Sequence, residues 1–598
     1  MGGQKGYWHI IIFVILSLTI IFPLLEGKYI LTLDTIVSPT SLHAKSFSDF
    51  IYGVWVNRPN LGELGIDASR IPLLIVSVAL KKLFPTYILQ KLEMFLIFFL
   101  SMMSMYSLID TKKYLPKYFA AFLYAINPFT YTRFLAGHWS LLLGYAILPY
   151  LLKELLRKEL RVKNIVLWLS LISILSTHIL VMSFIVMLIF IKKPLRKYVS
   201  IAFVFILLNI YWIYPVISAK TITISTIDSG DTEAFMSRNH FVNILFTNAM
   251  MYGFWRAEAY FMPSIYLLVP VFIIILYLAV HGAIAGKKTR FALMAVVSLV
   301  LAVGIAHPYT EKIFQFLFNI PLMRGFREPN KFVALLALSY SVMGAYGLNK
   351  IKRFRAVLLL LPFLFTPLLF MLDTQIKPID YPPDYYEMNT FINEDKNEFN
   401  VLFLPWHLYL DFRWIDNWDK RIANPAAIFF DKPVIQGDNM EIYPVYSHST
   451  DPISKYIEKN MDSAKNLTLI NVQYILIAKE YNVSIEDAEL IKETENLKLL
   501  KNNEKTYKFM QSDDLKKFRK LDYKKISPIK YEVKADSKYI IFTNGYNENW
   551  RLDGQKPLEG YPVNIFLNKG TELSYVRFNG ILIGYLVSLI VFWFVVLM

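Results

Sequence analysis

The sequence is dominated by apolar runs that are long enough to cross a lipid bilayer as helices. The first run, from Trp8 to Leu25, is uninterrupted, and a helix needs roughly 20 apolar residues to span the hydrocarbon core. Similar runs recur as far as Met371, and a last one begins at Ile581. Of the 598 residues, 55% are hydrophobic and only 18% are charged, a lower charge than a soluble protein of this size carries. The sequence therefore predicts a mainly α polytopic membrane bundle.

The distribution of Lys and Arg indicates which loops of this bundle lie in the cytoplasm. A net charge of +16 would suit a nucleic-acid partner, but much of the excess lies in short loops between apolar runs, as in cytoplasmic loops of membrane proteins. We therefore expect no nucleic acid, and assigning the basic loops to the cytoplasm gives about twelve transmembrane helices. The stretch from Ile165 to Ile191 has basic flanks on both sides. It is either two short helices that meet at Ser176–His178 or one long tilted helix, which would invert the topology before it.

The apolar runs divide the chain into parts. Residues 1–372 form a transmembrane module, and residues 580–598 form a C-terminal transmembrane helix. Three polar loops of the module, at 26–86, 218–262 and 307–330, fall on the outer face under this topology. The chain contains no cysteine, which excludes disulfides, Cys-ligated metals and a thiol nucleophile.

The polar segment between these two membrane parts has a residue pattern that is typical of a folded domain, and under this topology the domain is extracytoplasmic. Asn400–Pro405 and Val472–Ala478 are predicted to be buried strands, and Ile485–Leu500 carries a helical pattern. Residues 373–515 are therefore predicted to form an α/β domain. Short alternating strands punctuated by glycines predict a β-sandwich over residues 516–579.

One carboxylate lies just beyond the first membrane helix. The run Leu31-Thr-Leu-Asp34-Thr places Asp34 at the outer membrane surface under this topology. An acidic group at the mouth of a membrane cavity can act as a general base for a hydroxyl. The alternative is an ordinary loop carboxylate that pairs with Lys28 or caps a turn.

A second candidate is the cationic motif around Pro329. Arg324, Arg327 and Lys331 flank this proline just before a helix enters the membrane. Free amides at a helix start, together with such cations, form a phosphate cradle. The alternative is that the cations are interfacial anchors that reach towards lipid headgroups. Glu328, inside the same motif, is a further candidate site residue.

Other polar groups fall on the same predicted rim. Arg133, His138 and His178 are able to hold a phosphate leaving group, although a lone His near a helix end is more often a structural hydrogen-bonding group. Asp228 and Asp231 make a divalent cation possible, but two carboxylates are a weak site and a flexible turn explains them equally.

The predicted outer domain is rich in aromatic residues whose faces suit sugar stacking, although most aromatics in a domain of this size belong to its core. They are Trp406, Tyr409, Trp414, Trp418, Tyr446 and Trp550. The sequence contains neither a Walker loop, a dinucleotide fingerprint nor an HExxH pair, which argues against a nucleotide-driven pump and a zinc protease.

These motifs together resemble the GT-C superfamily of integral-membrane glycosyltransferases, in particular its YfhO-like and arabinofuranosyltransferase-like prokaryotic branches. The matching features are Asp34 after the first helix, the short outer helix Ile71–Phe84, the segment Ala125–Trp139, the FREPNKF motif at Phe326–Phe332 and the run Tyr546–Gly554. The sequence departs from the frequent paired-acid signature of the superfamily, because Thr35 follows Asp34.

The resemblance implies transfer of a sugar from a polyprenyl-phosphate donor to an extracytoplasmic glycan, glycolipid or glycoprotein. Arg327 and Lys331, with Arg133 or Arg70, would hold the donor phosphate, and Asp34 would deprotonate the acceptor hydroxyl. Trp406, Trp414 and Trp550 would contact acceptor sugars, and no cofactor is certain. The protein would lie in the cell membrane, in contact with lipid, with its C-terminal soluble domain on the extracytoplasmic side.

Two other functions remain open at the level of sequence. A transporter or flippase of lipid-linked glycans needs charged groups along a path through the bilayer, and the predicted spans carry few, of which Glu93 is the clearest. A non-catalytic cell-surface assembly protein would work through its outer domain. About twelve spans exceed what an anchor requires, since one is enough.

Overall fold

The computed structural model describes residues 7–39, 55–56, 61, 63–64, 66–218, 229–256, 260–261, 264–442, 445–449, 451–576 and 578–597. A helical membrane part comes first, a β-rich C-terminal domain follows, and a final apolar helix ends the described chain.

The membrane part is built from α-helices joined by short 3-10 turns. The helices are Trp8–Ile21 (α1), Ile71–Lys81 (α2), Thr86–Leu108 (α3), Tyr114–Ala125 (α4), Pro128–Leu135 (α5), Trp139–Leu156 (α6), Val162–Leu175 (α7), Thr177–Ile189 (α8), Arg196–Ser218 (α9), Ser229–Ala234 (α10), Ile244–Ala249 (α11), Ile265–Ala285 (α12), Thr289–Val303 (α13), Pro308–Phe318 (α14), Pro321–Arg324 (α15), Val333–Lys350 (α16) and Leu361–Phe365 (α17). The 3-10 turns are Phe22–Leu24, Ile66–Arg70, Gly304–Ala306, Pro329–Phe332, Val357–Leu360, Pro367–Phe370 and Leu372–Thr374.

Within the described ranges, seven helical segments are long and apolar enough to cross a membrane. They are Thr86–Leu108, Trp139–Leu156, Arg196–Ile217, Tyr266–Ala285, Thr289–Ala306, Pro329–Lys350 and Gly580–Leu597. Three shorter apolar segments are Trp8–Leu24, Val162–Leu175 and Thr177–Ile189. These segments support the predicted membrane protein, and the number of twelve crossings stays a prediction.

The structure decides between the two alternatives for the stretch from 165 to 191. The helix breaks at Ser176, whose backbone is extended (φ −158°, ψ 117°). Its hydroxyl accepts a hydrogen bond from the Ile179 amide at 3.3 Å, which caps the second helix. The stretch therefore consists of two helices, α7 and α8, and His178 lies directly after the break.

Helix α16 forms the centre of the membrane part, where it packs against α4, α12 and α13. Its contact with α12 leaves no room for side chains at two glycines. A Cβ added to Gly282 would lie 1.8 Å from the Met343 carbonyl oxygen, and one added to Gly347 would lie 2.0 Å from the Leu278 carbonyl oxygen. Small residues allow such close backbone approach between membrane helices.

The C-terminal domain contains most of the strands and three of the four remaining helices. The fourth, the final apolar helix, follows the domain. The strands are Trp55–Val56 (β1), Glu63–Leu64 (β2), Asn400–Leu404 (β3), Tyr409–Asp411 (β4), Arg421–Ala423 (β5), Val434–Ile435 (β6), Met440–Ile442 (β7), Val445–Ser447 (β8), Val472–Ala478 (β9), Ala488–Glu493 (β10), Leu497–Asn502 (β11), Phe509–Ser512 (β12), Arg519–Lys520 (β13), Tyr523–Ser527 (β14), Lys530–Val533 (β15), Tyr539–Gly545 (β16), Trp550–Leu552 (β17), Val563–Leu567 (β18) and Glu572–Tyr575 (β19). The helices are Pro383–Glu394 (α18), Ala426–Phe429 (α19), Pro452–Asn460 (α20) and the final apolar helix Phe578–Leu597 (α21).

The first sheet of this domain is mixed, with the strand order β10-β11-β9-β3-β6. Strand β3 pairs in parallel with β6 and β9, and both predicted buried strands, β3 and β9, are confirmed. The helix expected over Ile485–Leu500 is wrong, because this stretch forms most of the β10–β11 hairpin. Strand β11 pairs antiparallel with β9 and buries Leu497 and Leu499, so sheet pairing overrides the helical pattern.

The second part of the domain is a β-sandwich, as the sequence predicts. Its sheets have the orders β13-β12-β16-β18 and β14-β15-β19-β17. The sandwich begins before the expected boundary at 516, because β12 pairs with β16 inside the first of these sheets.

We expect Gly282→Ala to destabilise the membrane part, because the added methyl group would overlap the backbone of α16. Overpacking of this kind lowers the free energy of unfolding by about 1–3 kcal/mol. Thermal unfolding of the detergent-solubilised protein measures the effect. Gly584→Ala in α21 is the control, since its Cβ would have its nearest neighbour at 3.4 Å. Equal melting temperatures for the two variants would contradict the prediction.

Candidate active site

The chain after α1 is fixed from the membrane side by two residues of α3. The amide group of Gln90 pairs with the backbone of Ile30, accepting from its N–H at 2.9 Å and donating to its carbonyl at 2.7 Å. The ammonium group of Lys91 donates to the Leu25 carbonyl at 2.7 Å. These side chains satisfy backbone groups that have no helix or sheet partner there, so the chain leading to Asp34 has a defined path.

The C-terminal domain holds the same segment from the other side. Tyr29 and Ile379 exchange two backbone hydrogen bonds of 2.8 Å. The Asn417 amide group donates to the Leu31 carbonyl at 2.8 Å, and the Ala423 amide donates to the Leu33 carbonyl at 3.0 Å. The segment therefore lies between the membrane helix α3 and the C-terminal domain. That domain contacts the end of the bundle at which Asp34 lies.

Asp34 receives hydrogen bonds on both carboxylate oxygens. Its Oδ2 lies 2.7 Å from Nε2 of His138, and its Oδ1 accepts from the Tyr409 hydroxyl at 2.7 Å. The side chain remains 32% exposed. Asp34 is thus both oriented and accessible, as a general base has to be.

Arg133 is fully buried and determines the orientation of His138. Its guanidinium donates to Oε2 of Glu328 at 2.5 Å and to Oδ1 of Asn330 at 3.0 Å. It also lies 3.1 Å from Nδ1 of His138. Because arginine only donates, Nδ1 accepts and the proton of a neutral His138 lies on Nε2, facing Asp34. Nη1 and Nη2 of Arg133 thus serve protein groups, and the expected role of Arg133 as a phosphate ligand stays a prediction.

Glu328 balances the positive charges at this point. Burial alone would raise the pKa of its carboxyl group, but the charges of Lys331 and Arg133 outweigh burial and hold the pKa well below its usual range. The Lys331 ammonium group lies 3.6 Å from Oε1 of Glu328 and 3.3 Å from Nε2 of His178. The same His178 nitrogen lies 2.9 Å from the Gly325 carbonyl oxygen. Lys331 and His178 thus form a compact polar pair.

A cavity of about 750 Å³ joins these groups to apolar helix surfaces. Its charged and histidine lining residues are Asp34, Arg70, Lys81, Glu93, His138, His178, Glu328 and Lys331. Its apolar lining includes Leu73, Leu80, Leu89, Leu92, Leu96, Leu141 and Leu143 from α2, α3 and α6. A cavity lined by both charged groups and leucines suits an amphiphile that carries an anionic head. We call it the Asp34 cavity.

Some residues expected at the site lie elsewhere. The Arg324 guanidinium donates to the Phe318 carbonyl at 3.4 Å, and that of Arg327 stacks over the Phe235 ring at 4.3 Å. Neither is among the residues that line the Asp34 cavity.

The three tryptophans expected to contact sugars have different surroundings. Trp550 is fully buried in the sandwich core, and Trp406 is 4% exposed in a second core cluster. Neither ring offers a face to a sugar. Trp414 lines a separate cavity of about 700 Å³ in the C-terminal domain, together with Lys28 and Tyr386.

Sequence analysis missed three residues of the site. Gln90 belongs to no motif, Asn330 lies inside the FREPNKF motif without having been given a role, and Tyr409 was noted only as an aromatic residue of the outer domain. Tyr409 is 375 positions from Asp34 along the chain, so only the folded structure brings them together. Over the described parts of the chain, no three His, Asp or Glu side chains form a group able to hold a metal ion. Asp228, one of the two cation candidates, lies outside those parts.

We expect Arg133→Met to destabilise the protein strongly, because it leaves the Glu328 carboxylate buried without its main partner. Removal of one member of a buried pair lowers the free energy of unfolding by about 3–5 kcal/mol. Arg519→Met is the control, since its pair with Asp536 is well exposed and surface pairs contribute about 0–1 kcal/mol.

The double variant Arg133→Met/Glu328→Gln tests the cause of the loss. It should recover part of the stability in thermal unfolding, because no carboxylate is left buried without Arg133, although the Lys331 ammonium group loses its contact with Glu328. A double variant that is less stable than Arg133→Met would contradict this explanation.

The chain matches no model of a known protein family and no curated protein sequence. Its fold is similar to a solved structure of arabinofuranosyltransferase AftD from mycobacteria, with a TM-score of 0.58, 13% identity, and coverage of 85% of this chain and 41% of that chain. Two structures of a mutant AftD give TM-scores of 0.53 and 0.54 at 12% identity. They cover 85% of this chain and 43% and 42% of those chains.

The chain thus spans less than half the length of the solved structures that it matches. At such low identity the likeness concerns the fold. The expected resemblance to arabinofuranosyltransferases is confirmed for the fold, and the likeness to the YfhO-like branch stays a prediction. This chain has a fold similar to that of the mycobacterial arabinofuranosyltransferase AftD.

Proposed function

We propose that the protein is a membrane glycosyltransferase that moves a sugar from a polyprenyl-phosphate donor to an acceptor hydroxyl. The observation that carries the proposal is the lining of the Asp34 cavity. Asp34, His178 and Lys331 share one cavity with a leucine-rich wall, although they are far apart in the sequence. A base, a cation with a neighbouring hydrogen-bonding group and an apolar surface are what such a reaction requires.

The donor would bind with its phosphate at Lys331 and His178. Arg70, which lines the same cavity, is a third group able to contact this phosphate. The leucines of α2, α3 and α6 would contact the first isoprene units of the lipid, since they form the apolar wall. Arg327 and Arg324 lie outside this lining, so we propose Lys331 as the main phosphate ligand and assign the two arginines a lesser part.

Asp34 would act as the general base of an inverting transfer. The acceptor oxygen gives its proton to the Asp34 carboxylate while it forms a bond to the anomeric carbon. The bond between that carbon and the phosphate oxygen breaks, and its electron pair leaves with the phosphate. Lys331 stabilises the negative charge that develops on this leaving group. The Nε2–H group of His138 keeps Asp34 oriented towards the reacting atoms.

The proposal also covers the face of the membrane on which the site lies and the classes of acceptor and donor. The C-terminal domain contacts the Asp34 segment directly, so both would lie on the extracytoplasmic face. A glycan, glycolipid or glycoprotein would approach from this domain, in which Trp414 is the tryptophan that lines an open cavity. Because the similar fold belongs to an arabinofuranosyltransferase, a pentofuranosyl donor is the first to test.

We expect Asp34→Asn to abolish most sugar transfer while the protein still folds, because the amide cannot take the acceptor proton. Loss of a general base lowers the rate by about 10²–10⁴-fold. The assay measures transfer from radiolabelled polyprenyl-phosphate pentoses and hexoses to oligosaccharides in proteoliposomes. Asp416→Asn is the control, since Asp416 pairs with Lys377 at 2.5 Å in the C-terminal domain and lines neither the Asp34 cavity nor the cavity that contains Trp414. Full activity of Asp34→Asn would remove Asp34 from the mechanism.

Lys331→Met should weaken donor use much more than Arg324→Met. Loss of a cation at the leaving phosphate lowers kcat/KM for the donor by about 10²–10³-fold. The two variants remove one positive charge each from the same motif, so they are matched in charge and differ in their relation to the cavity. Equal losses would show that the phosphate is held by the motif as a whole, against the proposed role of Lys331.

A further inference from the structure

The two donors to the Asp34 carboxylate differ in chemistry and in origin. His138 belongs to the membrane part and faces Oδ2 with a ring nitrogen, as described above. Tyr409 begins strand β4 of the C-terminal domain and faces Oδ1 with a hydroxyl group at 2.7 Å. A hydroxyl is also the group that an acceptor sugar presents to its general base. Tyr409 therefore offers Asp34 the same kind of donor as the substrate does.

The Tyr409 phenol is a permanent donor at this position. Burial and the negative charge of Asp34 raise its pKa well above the usual range. The phenol keeps its proton at neutral pH and does not compete with Asp34 as a base. A general base takes a proton from an oxygen about 2.6–3.2 Å away. The phenol oxygen thus stands at a distance where a reacting acceptor oxygen has to stand.

The Asp34 carboxylate contacts the Tyr409 hydroxyl and also lines the Asp34 cavity, but these are two different surroundings. Asp34 and His138 are among the residues that line the cavity, and Tyr409 is not. If the donor fills this cavity, the oxygen that faces Tyr409 is the one left for the acceptor. The acceptor would then reach Asp34 along the C-terminal domain.

The backbone of strand β4 at Tyr409 is fixed more firmly than the hydroxyl group of the Tyr409 side chain. Strand β4 pairs with β5, and the Ala423 amide of β5 donates to the Leu33 carbonyl at 3.0 Å. The Tyr409 hydroxyl, in contrast, makes its contact with a carboxylate that is one-third exposed. Displacement of the hydroxyl therefore needs to break one hydrogen bond to Oδ1, whereas displacement of the hairpin would break several backbone bonds.

We propose that the Tyr409 hydroxyl occupies the position of the acceptor hydroxyl at Asp34 until a sugar hydroxyl displaces it. This inference rests on the proposed function. The ligand of this subsite is an alcohol, the reacting hydroxyl of an acceptor sugar that arrives from the C-terminal domain. While Tyr409 is in place, water cannot use the same lone pair of the base. The donor is thereby protected from hydrolysis when no acceptor is bound.

Tyr409→Phe tests this inference, because it removes the hydroxyl and keeps the ring. The KM for a pentofuranose or hexopyranose oligosaccharide acceptor should fall by about tenfold, the effect of one hydrogen bond to a charged group that no longer has to be displaced. Hydrolysis of the radiolabelled donor without acceptor should rise. Tyr474→Phe is the matched control, since this phenol donates to Oδ2 of Asp395 at 3.1 Å in the same domain. It should change neither quantity.

The opposite result would overturn the inference. A lower kcat with an unchanged acceptor KM and no added hydrolysis would mean that Tyr409 only positions Asp34. A second measurement does not depend on turnover by the variant. With 3-fluorotyrosine at position 409 or 474 of the full chain, the ¹⁹F resonance at 409 should shift when the active acceptor oligosaccharide is added, and that at 474 should not. An unshifted 409 resonance at saturating acceptor overturns the inference.

The same assays separate this inference from the function on which it rests. If the unmodified protein transfers no sugar from any donor of the panel, the proposed function fails and the inference fails with it. If transfer is normal and depends on Asp34, but Tyr409→Phe behaves like Tyr474→Phe, the inference alone is overturned.

Discussion

The buried ion pair between Arg133 and Glu328 is the interaction on which the arrangement of the site depends. Both side chains are almost inaccessible, at 0% and 9% exposure, and a pair in such surroundings requires further hydrogen bonds to both partners. Those bonds connect the site. Arg133 reaches Asn330 and His138, while Glu328 faces Lys331. One pair thus joins α5 to the segment that leads into α16, and it sets both the proton position on His138 and the place of the lysine.

The site is also composite, because the membrane part does not complete it alone. The segment that carries Asp34 has no helix or strand of its own between the 3-10 turn Phe22–Leu24 and residue 39. Side chains of α3 and backbone groups of the C-terminal domain satisfy its polar groups from two sides. Such a segment is well defined only when both neighbours are present. The C-terminal domain is therefore part of the site and not an appendage, which agrees with the direct contact between Tyr409 and Asp34.

Sequence reasoning succeeded where the signal is local and failed where it depends on tertiary contacts. Apolar runs and buried strands such as Val472–Ala478 follow from short patterns, and so do Asp34 and Lys331 as polar residues at helix ends, whereas the break at Ser176 was one of two alternatives. The β10–β11 hairpin was mistaken for a helix because pairing with β9 decides its conformation. The contact between Arg133 and Glu328 was missed for the same reason, since the two residues are 195 positions apart in the sequence. The buried rings of Trp406 and Trp550 likewise depend on packing that no local pattern reports.

The residue after Asp34 helps to position the single acid of this segment. The Thr35 hydroxyl donates to the Gly137 carbonyl at 2.5 Å, and the Asp34 amide donates to the Ala136 carbonyl at 3.0 Å. Gly137 has a φ of +84°, and a Cβ there would lie 2.2 Å from the Thr32 hydroxyl oxygen. Only glycine combines this backbone conformation with so close an approach. The contact brings His138, the next residue, to Asp34. Thr35 therefore serves the geometry of the base, and a second carboxylate at this position would place a negative charge against a carbonyl oxygen.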